Sequence, residues 1–344
     1  MLVSTAISDD LHQLEQWRPV GCPAFAPKTA RPQEFAGGRR NIPRGSMTLE
    51  QQIAQFIASG LVNGAIYALL GLGLVVIASV TRVVNVAQGE FAAFGGLLAA
   101  SAVGAGVPLW AALLLAVAAG TALGAGMHRV AIRPVRGASA LTLLIVTIAA
   151  HLTLRGILLL VWGTNPYSLP PFVTGPPVRV AGAVVTRQAL WVLGAVAVIL
   201  AAAYLFFSRT LRGKSLRACA VNPTAARLAG ISVDRMGTLA FAIAGGLGGL
   251  AGVLITPLTL ATYDMGLILG LKGFVGAVVA GMTSYPLTVV ATLAFGVVES
   301  LGAGLISSNY RDAIAFGVLI AVLLARALAA LREGVLIGEE AAQE

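Results

Sequence analysis

The sequence predicts an all-α membrane protein: a polytopic helical bundle of about eight spans, with one or two of its segments broken or re-entrant. Three observations lead there. Only 11% of the 344 residues are Asp, Glu, Lys or Arg, where soluble proteins carry about 25%. Mean hydropathy is +0.88. Several apolar runs, among them 56–80, 109–127 and 190–207, approach the roughly 20 residues that cross a hydrocarbon core about 30 Å thick.

Residues 1–46 are mixed in charge, carry Pro and Gly without periodicity and end in "GGRRNIPRGS". With no signal-peptide core, they are expected to be a disordered extension or a start assigned too far upstream. A transmembrane domain is expected over 47–335 and a cytoplasmic tail over 336–344. After Met47 an amphipathic lead-in, "TLEQQIAQF", feeds the first span, which ends at Thr81-Arg82. Next comes an apolar segment holding Asn85, Gln88 and Glu90, then spans near 107–127, 141–162 and 188–207. The span near 237–255 contains "AGGLGGLAG", whose four-residue glycine spacings let helix backbones approach closely. A Gly-interrupted segment near 267–281, a run near 287–306 and a last span from about Ala313 complete the set.

The count lies between eight and nine crossings, and eight is favoured. The segments carrying Glu90 and Lys272 are the expected irregular ones, because broken helices are tolerated where they line a polar cavity. Their comparable positions in the two halves hint at an internal repeat.

A formal charge of +9 raises nucleic acid as a partner, but the basic residues are scattered over loops and follow the positive-inside rule better. Arg129, Arg133 and Arg136 mark one cytoplasmic loop, and Arg209, Arg212, Lys214, Arg217, Arg227 and Arg235 a second. The Pro-rich stretch 163–187 between them falls outside. Cys22 and Cys219 imply no disulfide framework.

An enzyme has little to stand on. Gly213-Lys214-Ser215 ends like a phosphate-binding loop, but Ser208 stands where that motif needs glycine and no strand precedes it. His12, His128 and His151 are far apart in sequence. No catalytic residue, metal or cofactor is expected.

Three sets of residues invite a functional reading. "NVAQGEF", 85–91, puts Asn85, Gln88 and Glu90 inside an apolar run, where a carboxylate costs about 2.5 to 3.5 kcal/mol on insertion scales. Either these residues line or gate a translocation path, or Glu90 sits at the cytoplasmic boundary just after Arg82 and bonds to another span. His151 and Glu299 also lie inside apolar runs and read as interhelical hydrogen-bonders that could border the same path. Lys272 and Asp264 are expected near the outer edge, snorkelling to water. The third set is "RACAVNPTAARLAGI", 217–231. Asn222 suits an N-cap, Pro223 a first turn and Gly230 a helix end, so a short rigid helix is expected on the cytoplasmic side, shaped to enter a partner's groove.

Four stretches, "TRVVNVAQGEF" at 81–91, "RPVRGAS" at 133–139, "LLLVWGTNP" at 158–166 and "LRACAVNPTAARLAGISVDR" at 216–235, resemble the membrane subunit of branched-chain amino acid ABC importers, the LivH-type permeases. The resemblance covers nearly all of the chain after Met47. It implies that the ATPase coupling helix falls on 222–230, with Asn222, Pro223, Ala226, Arg227 and Gly230 as its defining residues and Arg227 as a polar contact to the ATPase. It also implies two ATPase subunits, a second, paralogous permease subunit, a periplasmic or lipid-anchored substrate-binding protein and an inner-membrane location. The substrate would be a branched-chain amino acid or a related small polar solute. The chain departs from the family at Ala280, Thr283, Leu287 and Thr288, where a glycine-rich turn is usual, and at Arg326-Ala327. The rival reading is a proton-coupled secondary transporter acting alone through Glu90 or Glu299.

Overall fold

The computed structural model describes residues 48–180, 182–307 and 310–341. The expectation for 1–46 lies outside them. The fold is an all-α polytopic bundle. Its helices are α1 (Leu49–Thr81), α2 (Gln88–Gly104), α3 (Leu109–Met127), α4 (Ala140–Trp162), α5 (Arg187–Arg209), α6 (Leu211–Val221), α7 (Pro223–Leu228), α8 (Val233–Thr259), α9 (Met265–Val279), α10 (Tyr285–Leu305) and α11 (Arg311–Ala341). A two-stranded hairpin, β1 (Val178–Val180) and β2 (Ala183–Val185), stands between α4 and α5, antiparallel with Val178 opposite Val185.

α1 starts at Thr48, whose hydroxyl accepts from the Gln51 N–H while the Gln51 side chain accepts from the Thr48 N–H. This reciprocal cap satisfies two of the donors that a helix start leaves open. No charged residue stands between Glu50 and Arg82, so α1 is apolar all round and becomes the centre of the bundle. In α1 and α8, 83% and 78% of the most apolar stretch is buried, against 17 to 22% in α3, α4 and α5. The first pair forms the core; the other three turn most of their apolar surface outward, as spans facing lipid do.

The glycines of α8 are its contact face. A Cβ at Gly252 would collide with the Ala92 carbonyl oxygen of α2, and one at Gly245 with the Gly120 carbonyl oxygen of α3. Close backbone approach of this kind is what "AGGLGGLAG" predicted, and packing is what holds helices together where lipid is as apolar as the side chains.

Among the described residues six helices, α1, α3, α4, α5, α8 and α10, are long and apolar enough to cross a membrane; α9 is apolar but shorter. The two segments expected to be irregular are the short ones. α2 has 17 residues and α9 has 15, about 25 Å and 22 Å at 1.5 Å per residue, less than the hydrocarbon thickness. Before α2, residues 82–87 are non-helical yet Val83, Asn85 and Ala87 are buried. The chain thus enters the bundle as irregular backbone and becomes helical inside it. Among the described residues three non-glycines adopt left-handed backbone, Arg82 (φ 57°), Leu260 (φ 75°) and Met282 (φ 58°); all three flank α2 or α9.

Contacts set the directions. The Val184 N–H donates to Gln55 Oε1 at 2.8 Å, so α1 begins on the hairpin face. The Arg82 guanidinium donates to the Ala220 carbonyl at 2.8 Å, so α1 ends on the face that carries α6 and α7. α8 runs the opposite way, starting near α7. The α1–α2 and α8–α9 pairs are therefore inverted with respect to each other, and the short helices meet where Gly89 packs against Gly266 and Gly270.

Candidate functional site

Two places combine buried polar chemistry with an unusual build. The first is α7. The Asn222 side-chain oxygen accepts from both Thr224 N and Ala225 N at 3.0 Å, Pro223 opens the helix where no N–H is needed, and Gly230 closes it with φ +81°. The sequence-predicted cap, turn and end are all present. Ala226, however, is buried in the main core cluster with Leu216 and Cys219. It holds α7 to the bundle and does not face outward. Thr224, Ala225, Arg227 and Leu228 are exposed, Leu228 by 87%. Sequence reasoning passed over Leu228, which has exposed apolar neighbours in Leu211 and Val221, both 83% exposed. Burial pushes the Cys219 thiol above its usual pKa.

α7 also borders a cavity of about 710 Å³ lined by Arg82, His128, Arg133, Arg136, Arg227 and Asp234. Asp234, in the first turn of α8, bridges Arg133 at 3.0 Å and Arg136 at 3.2 Å. The basic loop after α3 is thereby tied to the start of α8, directly after α7.

The second place surrounds the first turn of α2. Asn85, Gln88 and Glu90 are each 1% exposed and His151 is 5% exposed. Asn85 accepts from Ala87 N at 3.2 Å, and Gln88 Nε2 donates to the Ala244 carbonyl at 3.0 Å. His151 Nδ1 lies 3.0 Å from Glu90 Oε1, close enough for a charge contact but off the hydrogen-bond direction. Asn85 Nδ2, Gln88 Oε1, both Glu90 oxygens and His151 Nδ1 have no hydrogen-bond partner. Buried polar atoms are normally paired; here the Gln88 side chain faces Ala244 and Gly73 while the Glu90 carboxylate faces His151 and Gly266, so spare donors and acceptors lie on two sides of the start of α2. His151 stands halfway along α4, which goes against the alternative that Glu90 lies at the cytoplasmic boundary: it contacts another span, but deep in the bundle. One turn beyond His151, Arg155 stacks 5.7 Å from the Tyr263 ring centre. Sequence reading missed it, though a lone arginine in an apolar run was visible.

Glu299 does not join this group. It pairs with Lys272 at 2.8 Å and with Arg311 at 3.5 Å, and Lys272 reaches Asp312 at 2.8 Å. Lys272 is 6% exposed. The expectation that it snorkels to the outer edge is overturned, because two carboxylates neutralise it in place. Asp264 is exposed, as expected.

A family model described as branched-chain amino acid transport system / permease component matches residues 56–323. The chain is similar to the high-affinity branched-chain amino acid transport system permease protein BraD of Pseudomonas aeruginosa, 30% identical over 286 residues, which cover 79% of this chain and 93% of that protein. It is 29% identical to LivH of Escherichia coli K12 over 287 residues, covering 78% and 92%. With a probable LivH of Methanocaldococcus jannaschii it shares 26% identity over 271 residues, covering 76% and 82%.

Proposed function

From the fact that this chain belongs to the permease-component family of branched-chain amino acid transport systems, we propose that it is one of two membrane subunits of an ABC importer. It carries a branched-chain amino acid or a related small polar solute inward, powered by two separate ATPase subunits. Its remaining partners are a paralogous permease subunit and a substrate-binding protein that docks on the hairpin face.

The observation that carries this reading is the construction of α7. The helix is capped at both ends, pinned by buried Ala226, and presents Arg227 and Leu228 to the outside. A rigid apolar knob beside a cation suits a groove in another protein. An exposed leucine gains by being covered. In this scheme ATPase closure moves α7, and the motion passes to α8 and, through the Asp234 bridges, to the end of α3. The path for solute runs past Asn85, Gln88, Glu90 and His151, whose spare donors and acceptors can solvate a zwitterion in passing. Glu299 supports the bundle through Lys272 and does not border the path.

The test is the pair Arg227→Glu with Leu228→Asp in a reconstituted complex. Leucine uptake into proteoliposomes should fall about tenfold or more, as loss of an interface anchor does, while ATP hydrolysis ceases to respond to the loaded binding protein. Unchanged uptake would overturn the role of α7. Proton-driven uptake by this chain alone in liposomes would replace the proposal with the secondary-transporter reading.

A further inference from the structure

A second cavity, of about 420 Å³, opens between α5 and α10 at the end of the bundle that carries α6 and α7. Its size is that of a small-molecule site. Leu72, Leu200 and Val289 form its inner wall. Its rim holds Tyr204 and Val290, 66% and 61% exposed, so it opens sideways from the bundle, where lipid lies.

The mouth has a different character. α5 ends at Arg209 and α10 begins at Tyr285, which brings Ser208, Tyr285 and Arg217 of α6 to one end of the groove. Ser208 donates to the Leu205 carbonyl and Tyr285 shares a hydrogen bond with Ser79, but Arg217 is exposed and makes no ion pair among the described residues. The first residues of the 21-residue α10, Tyr285 and Pro286, line the same mouth. An apolar slot open to the hydrocarbon and headed by a cation at the interfacial level matches one kind of molecule. An acyl chain fits the slot, and a phosphodiester fits the cation. A helix from a second copy would cover the apolar wall and leave the charge unanswered.

We propose that this groove is a binding site for an anionic glycerophospholipid of the leaflet on the α7 side, with Arg217 holding the phosphate and an acyl chain lying between α5 and α10. The site is separate from the solute path and does not depend on the choice of substrate.

Native mass spectrometry of the full chain, released from phosphatidylcholine nanodiscs containing phosphatidylglycerol, tests it. The wild-type chain should retain one phosphatidylglycerol in preference to phosphatidylcholine. Arg217→Gln should weaken that retention about fivefold, the effect of one cation near a charged headgroup, and Arg217→Lys should keep most of it. Val289→Trp, which fills the slot without touching the charge, should remove the adduct. Soluble glycerophosphate should not compete, since it lacks the chain. Retention unaffected by either Arg217→Gln or Val289→Trp would overturn the proposal. So would efficient self-crosslinking through Tyr204→Cys, which would assign the groove to a second copy.

Discussion

Glu90 and Glu299 are both 1% exposed inside the same bundle, and they are held in opposite ways. Glu299 belongs to a set of two anions and two cations, with Lys272 in contact with both carboxylates, although only its Oε1 is engaged and its Oε2 has no hydrogen bond. Glu90 has only a misaligned histidine, and neither of its oxygens is hydrogen-bonded. Burial alone therefore does not separate a structural charge from a working one. What separates them is the company each keeps: Lys272 and Arg311 contact Glu299, whereas Glu90 has a single histidine, and an uncompensated buried charge costs energy that packing elsewhere must offset.

The largest effect should come from breaking the set around Glu299. Lys272→Met leaves Glu299 buried without its nearest cation and should destabilise the protein by about 3 to 5 kcal/mol, measured by thermal unfolding in detergent. Adding Glu299→Gln should restore most of that loss. A stable single variant would mean that the set is not structural. Glu90→Gln should behave in the reverse sense, with stability changed by less than about 1 kcal/mol because no good hydrogen bond is removed, while uptake by the reconstituted complex falls about tenfold. If unfolding responded as strongly as in Lys272→Met, the contrast between the two carboxylates would vanish. The smallest effect belongs to Asp312→Ala. Its carboxylate is 51% exposed, so solvent screening limits the loss to about 1 kcal/mol or less. A larger loss would place Asp312 on a par with Glu299.

The pattern of the sequence was enough to read the order of the helices, the glycine face of α8, both interrupted segments and the capped helix after Asn222. Each is a local signal: a run of apolar residues, a spacing, or a cap within three residues of its partner. The misreadings involve distance or direction. Lys272 looked like a residue reaching for water because its partner Glu299 is 27 positions away on another helix. Glu90 looked superficial because it follows Arg82 by eight positions, but extended chain rises about 3.3 Å per residue, against 1.5 Å in a helix, and residues 82–87 are not helical. Which way Ala226 faces was not legible, because a six-residue helix is too short to show an inner and an outer face. The same burial makes Cys219, 1% exposed with a raised thiol pKa, a poor reporter for accessibility labelling, since the thiolate is the reacting form.

The Asp234 clamp changes what a displacement of the knob amounts to. Arg133 and Arg136 tie the loop after α3 to the first turn of α8, and farther along the two shafts meet glycine to glycine at Gly120 and Gly245. Two rods joined at an end and along a seam behave as a plank. In the proposed coupling scheme a tug at one corner would swing its whole width, so the movement need not fade before it reaches the middle of the bilayer.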